Sequence, residues 1–404
     1  MVSYYFPPLG AVSSLRAAKL ASHLPEFGWE VRVLAPRLGA YYRDASLVFP
    51  EERVVRTASL ELSRLGKKLV DPAAGDSEPA RVGPASGRLR ELARRLLYRP
   101  DAQAGWYPFA VSAGRRTLQG ERFDAVFSSS VPFTAHRVAL RLQRDFELPW
   151  VAEFRDPWAD ALDPGHPARP RRLAEEKRVL DAARAVVTVS PDWVRLFQAK
   201  GAREVALVTN GFDPQELPPL RRPHGIVLAH VGNFYPDRQD LAALWPALRD
   251  LRGATDASLR LRFIGPLHPI LVDEIKAHGL EALVEVTGFL PHRQALAELM
   301  GSSALIVAGA RDERPRLRGM IPAKIFEYMA SGLPILYLGS PASDAARILA
   351  GQPACHVVAP RDHAATREAL QVMVEQRPVE RDVARYTHRT LAAELAAVLD
   401  RASR

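Results

Sequence analysis

The chain has 404 residues, 47% hydrophobic and 25% charged, more than one hydrophobic core usually spans, so two domains are expected. It contains no run of about 18 apolar residues, and the opening Met1-Val2-Ser3-Tyr4-Tyr5 lacks the basic and apolar regions of a signal peptide, so a cytoplasmic protein is predicted. The net charge of +9 sits in the first half: residues 1–200 carry 31 basic and 23 acidic side chains (31 − 23 = +8), and 201–404 carry 24 and 23 (24 − 23 = +1).

Only seven of the 55 basic residues are Lys, an Arg-heavy usage that argues against reading the charge as a nucleic-acid footprint. A one-sided basic field also attracts anionic lipid or a phosphorylated acceptor. The single cysteine, Cys355, excludes an internal disulfide and a cysteine-rich metal site, and is expected to be a small core residue.

In chain order, short apolar runs alternate with segments of helical period, the pattern of parallel sheets covered by helices. Residues 3–16 open the chain with a turn at Gly10. Val31–Ala35 is the first expected strand. Residues 65–87, rich in Gly, Pro, Ser and Ala, read as a mobile insertion. Arg88–Arg99 is a basic amphipathic helix, either a surface helix of its own domain or a docking element for an anionic membrane or lipid-linked acceptor.

Further strands are expected at Ala125–Ser128, Trp150–Phe154, Ala185–Val189 and Val205–Thr209. The first of these runs into a small-residue loop holding Ser130, and the second into Glu153-Phe-Arg155-Asp156-Pro157-Trp158. Open α/β sheets bind ligands at such strand ends. Arg155 and Asp156 stand at such an end, either as ligand-site residues or as a structural salt bridge. Glu153, alternating inward, is expected to partner Arg155 or to line the acceptor side with Ser130 and Gly10.

The proline-rich stretch 213–224 reads as a linker between an N-terminal domain (1–212) and a C-terminal one (225–375), with residues 376–404 crossing back as helices. Asn210-Gly211 marks a hinge. The second series of strands is Ile226–Val231, Leu259–Ile264, Val284–Thr287, Ala304–Ala308, Ile335–Leu338 and His356–Val358.

Within it, residues 321–336 (Ile-Pro-Ala-Lys-Ile-Phe-Glu-Tyr-Met-Ala-Ser-Gly-Leu-Pro-Ile-Leu) read as loop, short helix, turn and strand. Pro322 is placed in the first helical turn and Gly332 at a left-handed cap. Lys324 and Glu327 share a face. They form either an exposed ion pair or a site in which Lys and backbone N–H groups take an anion while Glu accepts from hydroxyls.

This segment resembles the donor-binding element of family-four glycosyltransferases. The resemblance implies the GT-B fold, two Rossmann-like domains facing across a cleft, and sugar transfer from a nucleoside-diphosphate donor with retention of configuration. It gives Glu327 the donor ribose, and Lys324, as in a side branch with Lys-x-x-Glu-Tyr, the diphosphate. Many members carry a second Glu eight positions earlier; here that position is Gly319. Residues 230–238 resemble the element supplying two diphosphate cations: Asn233 replaces the first and Arg238 keeps the second, with Lys324 or Arg311 a candidate to compensate. Gly288 and Leu290 match the place where the base is read, or form a simple strand-end turn. Residues 3–16 look like the loop that approaches the transferred group, after a first strand shorter than usual. Arg155-Asp-Pro-Trp158 resembles the same side branch, which makes Arg155 and Asp156 candidates for stabilising the departing phosphate or orienting the acceptor hydroxyl; Asp101–Trp106 also looks like a piece of that branch.

The implied co-substrate is a nucleotide sugar, with no other cofactor. Neither an Asp-x-Asp triplet nor a His/Cys/Asp cluster predicts a metal. The acceptor is a small molecule, a glycan or a lipid-linked species. The competing readings are a nucleotide-sugar epimerase and a catalytically weak GT-B binding protein.

Overall fold

The computed structural model describes residues 1–10, 12–37, 43–44, 46–60, 100–255 and 258–404. They divide into unit 1, Met1–Thr209 with His388–Arg404, and unit 2, Asn210–Thr387. The expected insertion 65–87 and amphipathic helix 88–99 lie outside the described residues.

In unit 1, seven strands form one parallel sheet: β1 Val2–Ser3, β2 Val33–Pro36, β3 Val54–Thr57, β4 Val126–Ser130, β5 Trp150–Phe154, β6 Ala185–Thr188 and β7 Val205–Leu207. Their order is β3-β2-β1-β4-β5-β6-β7. Among the described residues they are accompanied by helices α1 Val12–His23, α2 Tyr107–Gly120, α3 Thr134–Phe146, α4 Arg169–Ala182 and α5 Pro191–Ala199.

Unit 2 repeats the plan with β8 Ile226–Val231, β9 Leu259–Ile264, β10 Val284–Val286, β11 Ala304–Ala308, β12 Ile335–Leu338 and β13 Cys355–Val358, ordered β10-β9-β8-β11-β12-β13 and again parallel. Its helices are α6 Leu244–Ala254, α7 Pro269–Ala277, α8 His292–Leu299, α9 Pro315–Arg318, α10 Lys324–Ser331, α11 Asp344–Ala350 and α12 His363–Glu375. The last helix, α13 His388–Ser403, belongs to unit 1. Both sheets have the doubly wound order of a Rossmann-like fold, in which strand order reverses once. The reversal falls between β1 and β4 in unit 1 and between β8 and β11 in unit 2.

The central strands β4, β5 and β11 are buried along their whole length, because helices cover both faces of a parallel sheet. Each of the eleven expected strands is present, five with the expected bounds. Among the described residues two strands are additional. Val2–Ser3 is too short for a period, and Val54–Thr57 is an edge strand interrupted by Arg56, whose guanidinium reaches Glu51 and the Pro7 carbonyl. Cys355 is half-buried at the start of β13 and packs beside the core instead of within it.

Residues 100–106 are locked into unit 1. Trp106 is fully buried and its indole N–H donates to Thr57 Oγ1 at 2.7 Å. Asp101 accepts from the Thr134 N–H at 2.8 Å and from Oγ1 at 2.6 Å, which satisfies an otherwise orphaned donor at the start of α3. Leu60 N–H donates to the Gly105 carbonyl at 3.2 Å, joining the two ends of the intervening stretch.

Candidate functional site

The candidate donor residues gather where the strand order of unit 2 reverses. β8 ends in His230-Val231 and leaves through Gly232, whose φ of +86° is a left-handed conformation glycine accepts without strain. α10 is set beside this strand end by its own sequence. Ile325, Phe326, Tyr328 and Met329 are buried against the sheet, and Gly332 closes the helix at φ +75°. A Cβ at Gly332 would stand 2.7 Å from the Val379 carbonyl. Arg381 donates to the Met329 and Leu333 carbonyls at the helix end, at 3.1 and 2.9 Å. The helix begins at Lys324 and not at Pro322: the Pro322 carbonyl accepts from Ile325 N–H, so the proline precedes the first turn.

Lys324 and Glu327 do not pair with each other. The Lys324 ammonium donates to the Val231 carbonyl and lies 3.3 Å from His230 Nε2. His230 is buried, with Nδ1 3.0 Å from the Ile306 carbonyl of β11. That contact puts the ring proton on Nδ1 and leaves the Nε2 lone pair to face the lysine. Burial, then the neighbouring lysine, lowers the His230 pKa to about 3. Burial likewise lowers Lys324 to about 7, opposed by the Glu327 charge. The Tyr328 hydroxyl accepts from Val231 N–H at 2.8 Å, and burial raises its pKa. A Cβ at Gly232 would stand 3.6 Å from Lys324 Nζ, so the missing side chain keeps the amine approachable from the loop after β8.

Glu327 is in the first turn of α10, and its Oε1 lies 2.8 Å from His292 Nε2. The contact comes from a helix start 35 residues earlier in sequence, and no local pattern signals it.

Other expected donor residues stand on nearby loops. Arg238, in the loop after β8, stacks over Tyr235 and bonds Asp237 at 3.1 Å; among the described residues no ion pair joins it to Glu327. Its carbonyl accepts from Arg311 N–H at 2.8 Å, and the Arg311 guanidinium donates to the Pro236 carbonyl, so the two arginine-bearing loops are tied together. Asn233 Nδ2 lies 3.4 Å from the Tyr235 hydroxyl. Gly319 ends α9 at φ −81°, a conformation open to any residue. Gly288 has φ +68°, and no atom lies within 4 Å of the point where a Cβ would stand. Leu290 is half-buried against the core.

In unit 1 the polar strand ends are occupied differently. Glu153 is 1% exposed; its Oε1 accepts from Arg16 at 3.0 and 2.8 Å and its Oε2 from Ser129. The expected Glu153–Arg155 pair is therefore not formed, because alternation turns Glu153 into the sheet where α1 supplies Arg16. Arg16 also donates to the Val208 and Thr209 carbonyls.

Arg155 instead donates to three main-chain carbonyls: Ser130 at 2.7 Å, Ser13 at 3.2 Å and Val131 at 3.0 Å. It thereby ties the β4 exit to the first turn of α1, and burial lowers its pKa. Ser130 Oγ donates to the Glu153 carbonyl at 3.2 Å. Asp156 follows, half-buried, and Gly10 lies just before α1. Trp158 stacks on Phe133 at 3.9 Å, with Arg172 over its ring.

Among the described residues no helix is long and apolar enough to cross a membrane, and no group of three His, Cys, Asp or Glu could hold a metal ion.

Residues 13–212 match the family described as glycosyl transferase 4-like domain, and residues 225–376 that described as glycosyl transferases group 1. Sucrose-phosphate synthase from Thermosynechococcus elongatus has a similar structure, with a TM-score of 0.64 at 14% identity over 99% of this chain and 93% of that one. Anabaena HepE, solved with UDP and glucose, gives 0.59 at 14% identity over 99% and 94%. The UDP-GlcNAc 2-epimerase of Methanocaldococcus jannaschii gives 0.55 at 9% identity over 99% and 100%. At these identities the likeness shows the shared fold alone. No curated protein matches the chain.

Proposed function

The chain belongs to the retaining glycosyltransferases of the 4-like and group 1 families, and we propose that unit 2 grips the nucleoside diphosphate of a sugar donor through Lys324 and Glu327 while unit 1 receives the acceptor. The observation that carries this reading is the pair's separation. On one helix start, where the sheet order reverses, a lysine and a glutamate three residues apart bond to other partners and not to each other.

In this reading the Lys324 ammonium and the N–H groups at the start of α10 take the diphosphate, and Glu327 accepts from the ribose hydroxyls. Arg238 is the second cation, and Gly288 with Leu290 borders the base. Gly319 offers the sugar no carboxylate. The leaving diphosphate needs preorganised positive charge, which Lys324 and Arg238 supply. Arg155 and Asp156 are assigned to the reacting group on the acceptor side, with Gly10 and Ser130 in the adjoining loops. Glu153, whose two oxygens are engaged, supports those loops through Arg16 and Ser129. The acceptor is a small molecule, a glycan or a lipid-linked species, in the making of a glycan, polysaccharide or glycosylated metabolite.

Incubation with a panel of nucleotide sugars and candidate acceptors, read as released nucleoside diphosphate, tests the reading. Turnover is expected with at least one donor, and Glu327→Gln should weaken binding of its diphosphate about 10- to 100-fold, the loss of a charged hydrogen bond. If no nucleoside diphosphate binds the wild-type protein, the assignment is wrong.

A further inference from the structure

His292 stands between two carboxylates. It opens α8 immediately after the 288–291 turn, with 22% of its side chain exposed. Its Nε2 lies 2.8 Å from Glu327 Oε1, and its Nδ1 lies 3.9 Å from Glu216 Oε2. Glu216 closes the short turn Pro214–Glu216, so three segments distant in sequence converge on one imidazole. At the shorter contact the ring N–H donates to the carboxylate.

Among the described residues the Glu327 carboxylate takes no other hydrogen bond. Oε1 is held and Oε2 is left to accept from a ligand. A glutamate side chain otherwise turns about three torsions, and ordering it at the moment of binding opposes binding. A charge-assisted hydrogen bond to one oxygen removes most of that freedom beforehand.

We infer that His292 is a positioning residue that presents Glu327 Oε2 to the 2′-hydroxyl of the donor ribose, and so sets a preference for ribonucleotide over deoxyribonucleotide donors. The inference rests on the donor reading above and adds the residue that orients its carboxylate. A histidine that merely closed the fold would affect ligands with and without the 2′-hydroxyl alike. One that orients the carboxylate acts through that hydroxyl. The arrangement also connects two tasks, because the turn bordering the base runs directly into the residue that holds the ribose carboxylate.

Calorimetric titration decides the matter. UDP, GDP and ADP are titrated into the wild-type protein, and the tightest is compared with its 2′-deoxy form on wild type, His292→Ala and His292→Gln. The wild type should prefer the ribonucleotide by about 10- to 100-fold. His292→Ala should lose about tenfold for the ribonucleotide and less than about twofold for the deoxy form, collapsing the preference. His292→Gln, which carries an amide N–H of similar reach, should restore part of it. An equal loss for both ligands in His292→Ala, or an unchanged preference, overturns the role of His292 and leaves the donor reading standing. Failure of all three diphosphates to bind the wild type removes both.

Discussion

At the strand ends of unit 1, Arg16 and Glu153 are 4% and 1% exposed and are bonded to each other, to Ser129 and to main-chain carbonyls. At those of unit 2, Lys324 and Glu327 are three residues apart on one helix and hydrogen-bond other partners. The first arrangement spends its charges on holding loops in place. The second keeps an amine with a lowered pKa and a carboxylate oxygen ready for something else. Both sit on the same doubly wound plan, so the plan supplies the location and the pairing of charges decides between support and binding.

The comparison breaks first at Glu153. Replacing it with Ala strands a buried guanidinium, and chemical denaturation should show a loss of about 3–5 kcal/mol. A loss under about 1 kcal/mol would mean that the unit 1 cluster is not the support described.

Lys324→Met sharpens the other side. Affinity for a nucleoside diphosphate should fall about tenfold or more, as for loss of one charged contact, whereas stability at pH 7 should hold or rise, because an amine that resists burial has been removed. Its pH dependence carries a sign. Folding lowers the amine from its ordinary 10.5 to about 7, so between those values the unfolded chain binds the extra proton. Stability from this group is full above 10.5 and is lost, at about 1.4 kcal/mol per pH unit, as pH falls through the window to about 7. Denaturation at several pH values should show this slope in the wild type and its absence in Lys324→Met; equal slopes refute the buried amine.

The smallest expected effect is at Gly232. Gly232→Ala places a methyl group at positive φ and 3.6 Å from the Lys324 amine. It should cost about 1–2 kcal/mol of stability and weaken diphosphate binding further than that cost explains. Unchanged binding would show that the ligand does not approach from this loop.

The sheets were legible because strands buried on both faces are written as uninterrupted apolar runs, as in Ala304–Ala308. Val54–Thr57 was not, since Arg56 breaks the run at the sheet edge. Lys324 and Glu327 could be placed on one helix by Gly332 and Pro334 alone. Their partners could not: His292 comes from 35 residues away, and the choice of Arg16 over Arg155 for Glu153 spans 137 residues. A period reports which way a side chain turns and is silent about which distant element meets it. His230 and Asp101 escaped for the same reason, each being defined by a contact with another strand or helix.

The bond between Leu60 and Gly105, with Trp106 anchored on Thr57, gives unit 1 a closed seam. Whatever the chain does between those points, its two ends are already joined, and the entropy of closing a loop grows only slowly with its length. Exchange of residues 61–99 alone for a short Gly-Ser link should therefore leave the seam and the Asp101 contact to α3 in place, and a segment that can be swapped without disturbing the scaffold is a place where relatives can differ in what they recognise.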